Sequence, residues 1–124
     1  MTRRNFLGLV AVALVAIGTP MVFAADGDVR IGLAGPGGTG SAKYRNRGGV
    51  REFQVEAEKL IVPAGTLLRV TVNGQNAGLM TVTTLRTARL NRSTQIGQAV
   101  PVIAAGSVVA VVAPNGAVLM SGRF

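Results

Sequence analysis

The sequence predicts an all-β domain: a compact, hairpin-rich antiparallel sandwich or small barrel of about seven or eight short strands. Three observations carry that expectation. Apolar and polar residues alternate in short runs, and no long window has a helical period. Gly, Asn and Pro punctuate the runs, with 17 Gly and 5 Pro in 124 residues. A weak internal repeat, strand, Asn-Gly turn and strand, also occurs twice in the chain.

The elements follow in order from residue 25. Residues 28–34 (DVRIGLA) predict a first strand with Val29, Ile31 and Leu33 on one face, and Gly35-Pro36-Gly37-Gly38-Thr39-Gly40 predicts a flexible loop. Residues 41–47 and 50–58 then flank Gly48-Gly49, a pair suited to a two-residue turn at positive φ. Placing Arg47 opposite Val50 sets Tyr44 against Phe53 and Ala42 against Val55 on one face. The other face pairs Arg45 with Glu52 and Lys43 with Gln54. Both strands choose the same apolar side, and a slip of one residue would destroy the match. Lys43, Arg45, Arg47 and Arg51 therefore read mainly as a solvated sheet face balanced by Glu52 and Glu56.

Residues 66–73 (TLLRVTVN) predict a strand with Leu68, Val70 and Val72 inward, turning at Asn73-Gly74. Residues 77–84 return, and residues 87–91 form a short strand with Ala88 and Leu90 inward. Residues 93–105 have no period. Residues 107–113 (SVVAVVA) are nearly all apolar, as a central strand would be. A turn at Asn115-Gly116 then sets Ala113 opposite Val118 and Val111 opposite Met120. Ala64-Gly65-Thr66-Leu67-Leu68 recurs as Ala105-Gly106-Ser107-Val108-Val109, and Leu79-Met80-Thr81 recurs as Leu119-Met120-Ser121.

Residues 1–24 divide like a cleavable signal peptide. Arg3 and Arg4 precede a 13-residue apolar stretch (FLGLVAVALVAIG), which is shorter than the about 20 residues a spanning helix needs. Pro20 and the small residues around Val22-Phe23-Ala24 place cleavage before Ala25. Thr2-Arg3-Arg4-Asn5-Phe6-Leu7-Gly8 also resembles the twin-arginine export signal, so both export routes stay open. A retained anchor is the competing reading. The expectation is a single domain, residues 25–124, in the periplasm or outside the cell, with no membrane span once the signal is removed.

Segments across that domain resemble a small all-β domain of exported bacterial proteins. They are Ala42-Lys43-Tyr44-Arg45-Asn46-Arg47, Arg51-Glu52-Phe53-Gln54-Val55-Glu56, Ala64-Gly65-Thr66 with Val72-Asn73-Gly74, Gly97-Gln98-Ala99-Val100-Pro101 and Ser121-Gly122-Arg123-Phe124. The resemblance implies the fold and the location, and it assigns no activity and no site residues.

The composition excludes many chemistries. With no Cys and no His, there is no disulfide, no thiolate or imidazole metal site, and no Ser-His-Asp or Cys-His catalysis. Gly35 to Gly40 fit G-x-G-x-x-G, but a dinucleotide site needs a helix starting there, and a strand pattern follows. As a P-loop the same segment fails, because Ser41 stands where the Lys belongs. Asp26-Gly27-Asp28 offers two carboxylates where Ca²⁺ takes about six or more oxygens. Glu52, Glu56 and Glu58 share a face with Lys43 and Arg45, which suits solvent better than acid/base work. Met80 and Met120 fall at matching repeat positions and read as core rather than as copper ligands.

The basic residues remain. The chain carries 13 Lys/Arg against 5 Asp/Glu, a net charge of +8, which becomes +6 without Arg3 and Arg4. Arg86, Arg89 and Arg92 recur every three residues, and with Arg69 and Arg123 they are the candidate anion-contacting surface. Tyr44, Phe53 and Phe124 are the aromatic residues outside the signal, too few for a base-stacking platform, so no specific nucleic-acid binding is expected. The function expected is a non-enzymatic binding or adhesion module of the bacterial envelope with no cofactor, its partner an anionic envelope polysaccharide. The alternative is a structural subunit that associates with another protein chain through exposed β edges.

Overall fold

A computed structural model describes residues 27–124. The expected export signal, with its cleavage site and Asp26, lies outside the described residues. The strands are β1 (Gly27–Gly35), β2 (Gly38–Arg47), β3 (Val50–Glu58), β4 (Leu67–Val72), β5 (Gln75–Thr81), β6 (Ala88–Ser93), β7 (Val108–Val112) and β8 (Val118–Arg123), with one 3₁₀ turn at Thr94–Ile96. All eight belong to one antiparallel sheet in the order β5-β4-β7-β8-β1-β2-β3-β6. The sheet curls until it is nearly closed, so of the two architectures expected, the barrel-like one forms.

Closure follows from the alternation. Every strand turns one apolar set to the same side, and a flat sheet of this width would leave that side in water. Phe53, Val55, Leu68, Val70, Val109, Val111, Ile103 and Met120 are fully buried in a single core. The ends of the sheet meet where β5 passes β6: a Cβ on Gly78 would stand 2.8 Å from the Leu90 side chain. No hydrogen-bonded ladder joins these two strands, so a seam remains.

The β2–β3 hairpin has the expected register throughout, including Tyr44 opposite Phe53 and Arg45 opposite Glu52, around a turn with Gly48 at φ 56° and Gly49 at φ 81°. The predicted loop at residues 35–40 is a correction. Only Pro36 and Gly37 turn, Gly35 pairs with Gly38, and β2 begins at once. The glycines serve close approach rather than flexibility, since a Cβ on Gly40 would collide with the Glu56 carbonyl oxygen of β3.

The repeated hairpins, β4–β5 and β7–β8, lie side by side. Val70 and Val111, equivalent positions of the repeat, face each other in the β4–β7 ladder, so the copies are related by a local two-fold arrangement. Both carry a bulge at the equivalent step, after Val70 and after Val111. The second bulge corrects a predicted pairing: Val111 faces Met120 as expected, but Val118 faces Val112, not Ala113. Leu119 is the extra residue, which turns both Leu119 and Met120 inward and leaves Val118 exposed. Met80 and Met120 are both core residues, opposite Leu68 and Val111 respectively.

The strand starting at Gln75 comes back earlier than the sequence predicts, directly after the Asn73-Gly74 turn, and gives way at residues 82–87 to a tight connection in which Thr83 N donates to Thr87 O at 2.8 Å. The aperiodic stretch after β6 plugs one end of the barrel with Val100 and Ile103. The order of the chain places the residues 36–37, 59–66, 82–87 and 113–117 connections at the opposite end.

Replacing Phe53 by Ala deletes a fully buried ring and should destabilise the domain by about 3–5 kcal/mol. Urea denaturation measures it, and a loss under about 1 kcal/mol would contradict the central place of this side chain.

Candidate functional site

Because the core consumes the inward residues, the polar chemistry lies on the outside of the sheet and on its loops. On the outer face of β1, β2, β3 and β6, the ladders set residues in rows. One row holds Asp28, Arg45, Glu52 and Ser93, the next Arg30, Lys43, Gln54 and Asn91, and the third Gly32, Ser41, Glu56 and Arg89. A groove of about 500 Å³ crosses this face, lined by Arg30, Ser41, Glu56, Glu58, Thr87 and Arg89 among others.

The first row is neutralised internally. Arg45 Nε donates to Asp28 Oδ1 at 2.9 Å and Arg45 Nη2 to Asp28 Oδ2 at 3.1 Å, a bidentate fork. Arg45 also stands 3.7 Å from Glu52, and Arg47 3.6 Å from Asp28. The hydrogen bonds from Arg45 hold the Asp28 carboxyl below its ordinary value, against the effect of desolvation, and the charges of Arg45, Arg47 and Lys43 act in the same direction. The same fork raises the Arg45 guanidinium. In the third row, Arg89 pairs with Glu56 at 3.0 Å.

The middle row is different. Arg30 and Lys43 sit directly opposite each other, and among the described residues no carboxylate comes within ion-pair distance of either. Like charges directly opposed across a ladder destabilise it by about 0.2–1 kcal/mol. This juxtaposition was missed in the sequence because the Pro36-Gly37 turn read as a loop. Treated as a two-residue turn, Gly35-Pro36-Gly37-Gly38 fixes Arg30 against Lys43 by counting.

The five residues predicted as an anion-contacting surface are dispersed. Arg69 and Arg123 are exposed on β4 and β8, Arg86 is exposed in the β5–β6 connection, and Arg89 and Arg92 lie on β6. Arg89 shares the charged outer face with Arg30 and Lys43. Arg92 is half-buried, and its Nε donates to the Ala99 carbonyl at 3.2 Å. Arg51 acts alike, with Nη1 donating to the Val100 carbonyl at 3.1 Å and its backbone N–H to Thr94 Oγ1 at 2.9 Å. These two arginines hold the plug over the core. Arg69, Arg86 and Arg123 have no ion-pair partner among the described residues.

Other proposed ligands have local duties as well. Asp28 of the predicted acidic pair is taken up by arginines. Among the described residues there is no group of three or more His, Cys, Asp or Glu arranged to hold a metal ion, and no helix long and apolar enough to cross a membrane. Compared with family models, curated proteins and solved structures, the chain has no match.

The Asp28–Arg45 fork gives the domain an acid-sensitive component. A carboxyl lowered on folding stabilises the protein fully above its ordinary value, 3.8, and that contribution is lost as pH falls through 3.8 toward the lowered value. Asp28→Asn should remove this component, flattening the acid limb of a stability–pH curve measured by denaturant unfolding. Superimposable curves for parent and variant would contradict it.

Proposed function

We propose that the protein is an exported, non-enzymatic binding module of the bacterial envelope that holds an anionic polysaccharide against the outer face of β1, β2, β3 and β6. The observation that carries this reading is the opposed, carboxylate-free pair Arg30 and Lys43, beside a polar groove. An extended polyanion laid across these strands meets both cations, offsets their mutual repulsion, and finds hydroxyl and carboxylate acceptors and donors along the groove walls. The excess of basic residues in the sequence favours polyanions at longer range. The export pattern of residues 1–24 would bring the domain to polymers of that kind.

A second reading has its own observation. Among the described residues the β5 and β6 edges carry no ladder partner, so another chain could add a strand at the seam. Edge pairing responds little to salt, whereas contact between exposed charges and a polyanion is screened.

The eight described strands and the core they enclose lie within residues 27–124, inside the expected mature chain of residues 25–124. Co-sedimentation of that chain with a uronic-acid polysaccharide, at low and high salt, tests the proposal. Binding should fall steeply with salt, and Arg30→Gln with Lys43→Gln should weaken it by about tenfold, as the loss of roughly 1.4 kcal/mol would. Salt-independent behaviour together with a defined oligomer by light scattering would replace this reading with the assembly one.

A further inference from the structure

We propose that the loop end of the barrel docks on an anionic lipid bilayer, with Ile61 and Leu85 entering the interface and Lys59 and Arg86 contacting lipid phosphates. The residues differ from those of the polysaccharide face, and the inference does not rest on that reading. Ile61 belongs to the β3–β4 connection and Leu85 to the β5–β6 connection. Leu85 is 81% exposed and Ile61 66% exposed, aliphatic side chains held out in water at the tips of loops. The loops are tied together, since Leu60 N–H donates to the Arg86 carbonyl at 3.1 Å.

A cation sits next to each connection's apolar tip. Lys59 and Arg86 are exposed, and no carboxylate among the described residues comes within ion-pair distance of either. Their backbones add an independent observation. Lys59 has φ 54° and Arg86 φ 60°, a left-handed conformation that side chains with a Cβ adopt at a cost. Elsewhere the chain meets this requirement with Gly or Asn, as at Gly48, Gly65, Gly106 and Asn73. At the two places beside the exposed aliphatic tips it carries long cations instead. Long cationic side chains that lie along apolar surface and reach phosphate with their charged heads are the chemistry of an anionic membrane interface.

The other end of the barrel supplies a contrast within the same molecule. Ile96 and Val102 are also exposed there, at 73% and 66%. The cations beside them, Arg51 and Arg92, are spent on the Val100 and Ala99 carbonyls. Arg123, the last residue of β8, also lies at that end without an ion-pair partner, so what distinguishes the Lys59 and Arg86 end is a cation within two residues of each exposed aliphatic side chain. Docking by this end turns residues 27 and 124, both at the far end, away from the bilayer.

The test is sedimentation of residues 25–124 with vesicles of phosphatidylglycerol and phosphatidylcholine, and with vesicles of phosphatidylcholine alone. The parent should sediment with the anionic vesicles only. Ile61→Asp with Leu85→Asp should lower that binding by about tenfold or more. Lys59→Gly with Arg86→Gly should lower it comparably while melting no lower than the parent, because glycine relieves the positive φ as the charges are removed. Arg30→Gln with Lys43→Gln should leave vesicle binding unchanged. The proposal is overturned if the parent ignores anionic vesicles, if either loop pair binds like the parent, or if the Arg30 and Lys43 pair loses vesicle binding as fully as the loop pairs. Failure here with retained polysaccharide binding would leave the polysaccharide reading intact.

Discussion

The architecture depends on the burial of one face of one sheet. Each strand contributes a period-two set of apolar side chains, and the only way to remove all of them from water without a second layer is to bend the sheet onto itself. Phe53, Val55, Val70, Val109 and Val111 occupy that interior with no exposure. Curvature then demands local irregularity, supplied by bulges after Val70 and Val111 at matching positions of the repeated hairpins. The closure stops short of a continuous ladder because β5 and β6 approach through Gly78 and the Leu90 side chain rather than through hydrogen bonds.

With the interior fully committed, the sheet exterior divides by chemistry. The described carboxylates, Asp28, Glu52, Glu56 and Glu58, all lie on β1 and β3. Arg45, Arg47 and Arg89 answer three of them. Across β5, β4, β7 and β8 an outward row instead contains Leu79, Arg69, Val112 and Val118, with Leu67 nearby, a row with one charge and several exposed aliphatic groups. A basic chain with so few acids cannot pair its cations evenly, and where the acids are placed decides which cations stay uncommitted.

Most of the fold was legible in the sequence because register follows from counting once a turn is known. Gly48-Gly49 fixed every partner of the β2–β3 hairpin, and Asn73-Gly74 fixed the inward set of β4. The errors arose where glycine has two physical meanings. Gly35 to Gly40 read as a mobile loop, although Gly40 is present so that a strand can lie close to Glu56. The bulge at Leu119 was equally hidden, since an extra inward residue changes no composition and breaks no pattern until the partner strand is known. The candidate site was less legible. Spacing singled out Arg86, Arg89 and Arg92, but Arg92 is tied to a carbonyl of the following loop and Arg89 to Glu56 on the neighbouring strand, and such partners leave no periodic trace. Arg30 against Lys43 became visible only with the turn at Pro36-Gly37.

The distribution of arginine partners separates two uses of one side chain. Where a guanidinium meets a loop carbonyl, as Arg51 and Arg92 do, it ties the plug to the sheet by a hydrogen bond, and its charge is incidental. Where it faces solvent without an acid, its charge is unbalanced and its position is not required by the core. Arg30 and Lys43 raise the free energy of the ladder they share, and Lys59 and Arg86 occupy backbone conformations that glycine would accept without strain. Neither feature stabilises the barrel. At Arg30 and Lys43 a bound anion removes an existing repulsion as well as forming new contacts, whereas at Lys59 and Arg86 the backbone cost remains and the anion adds contacts alone.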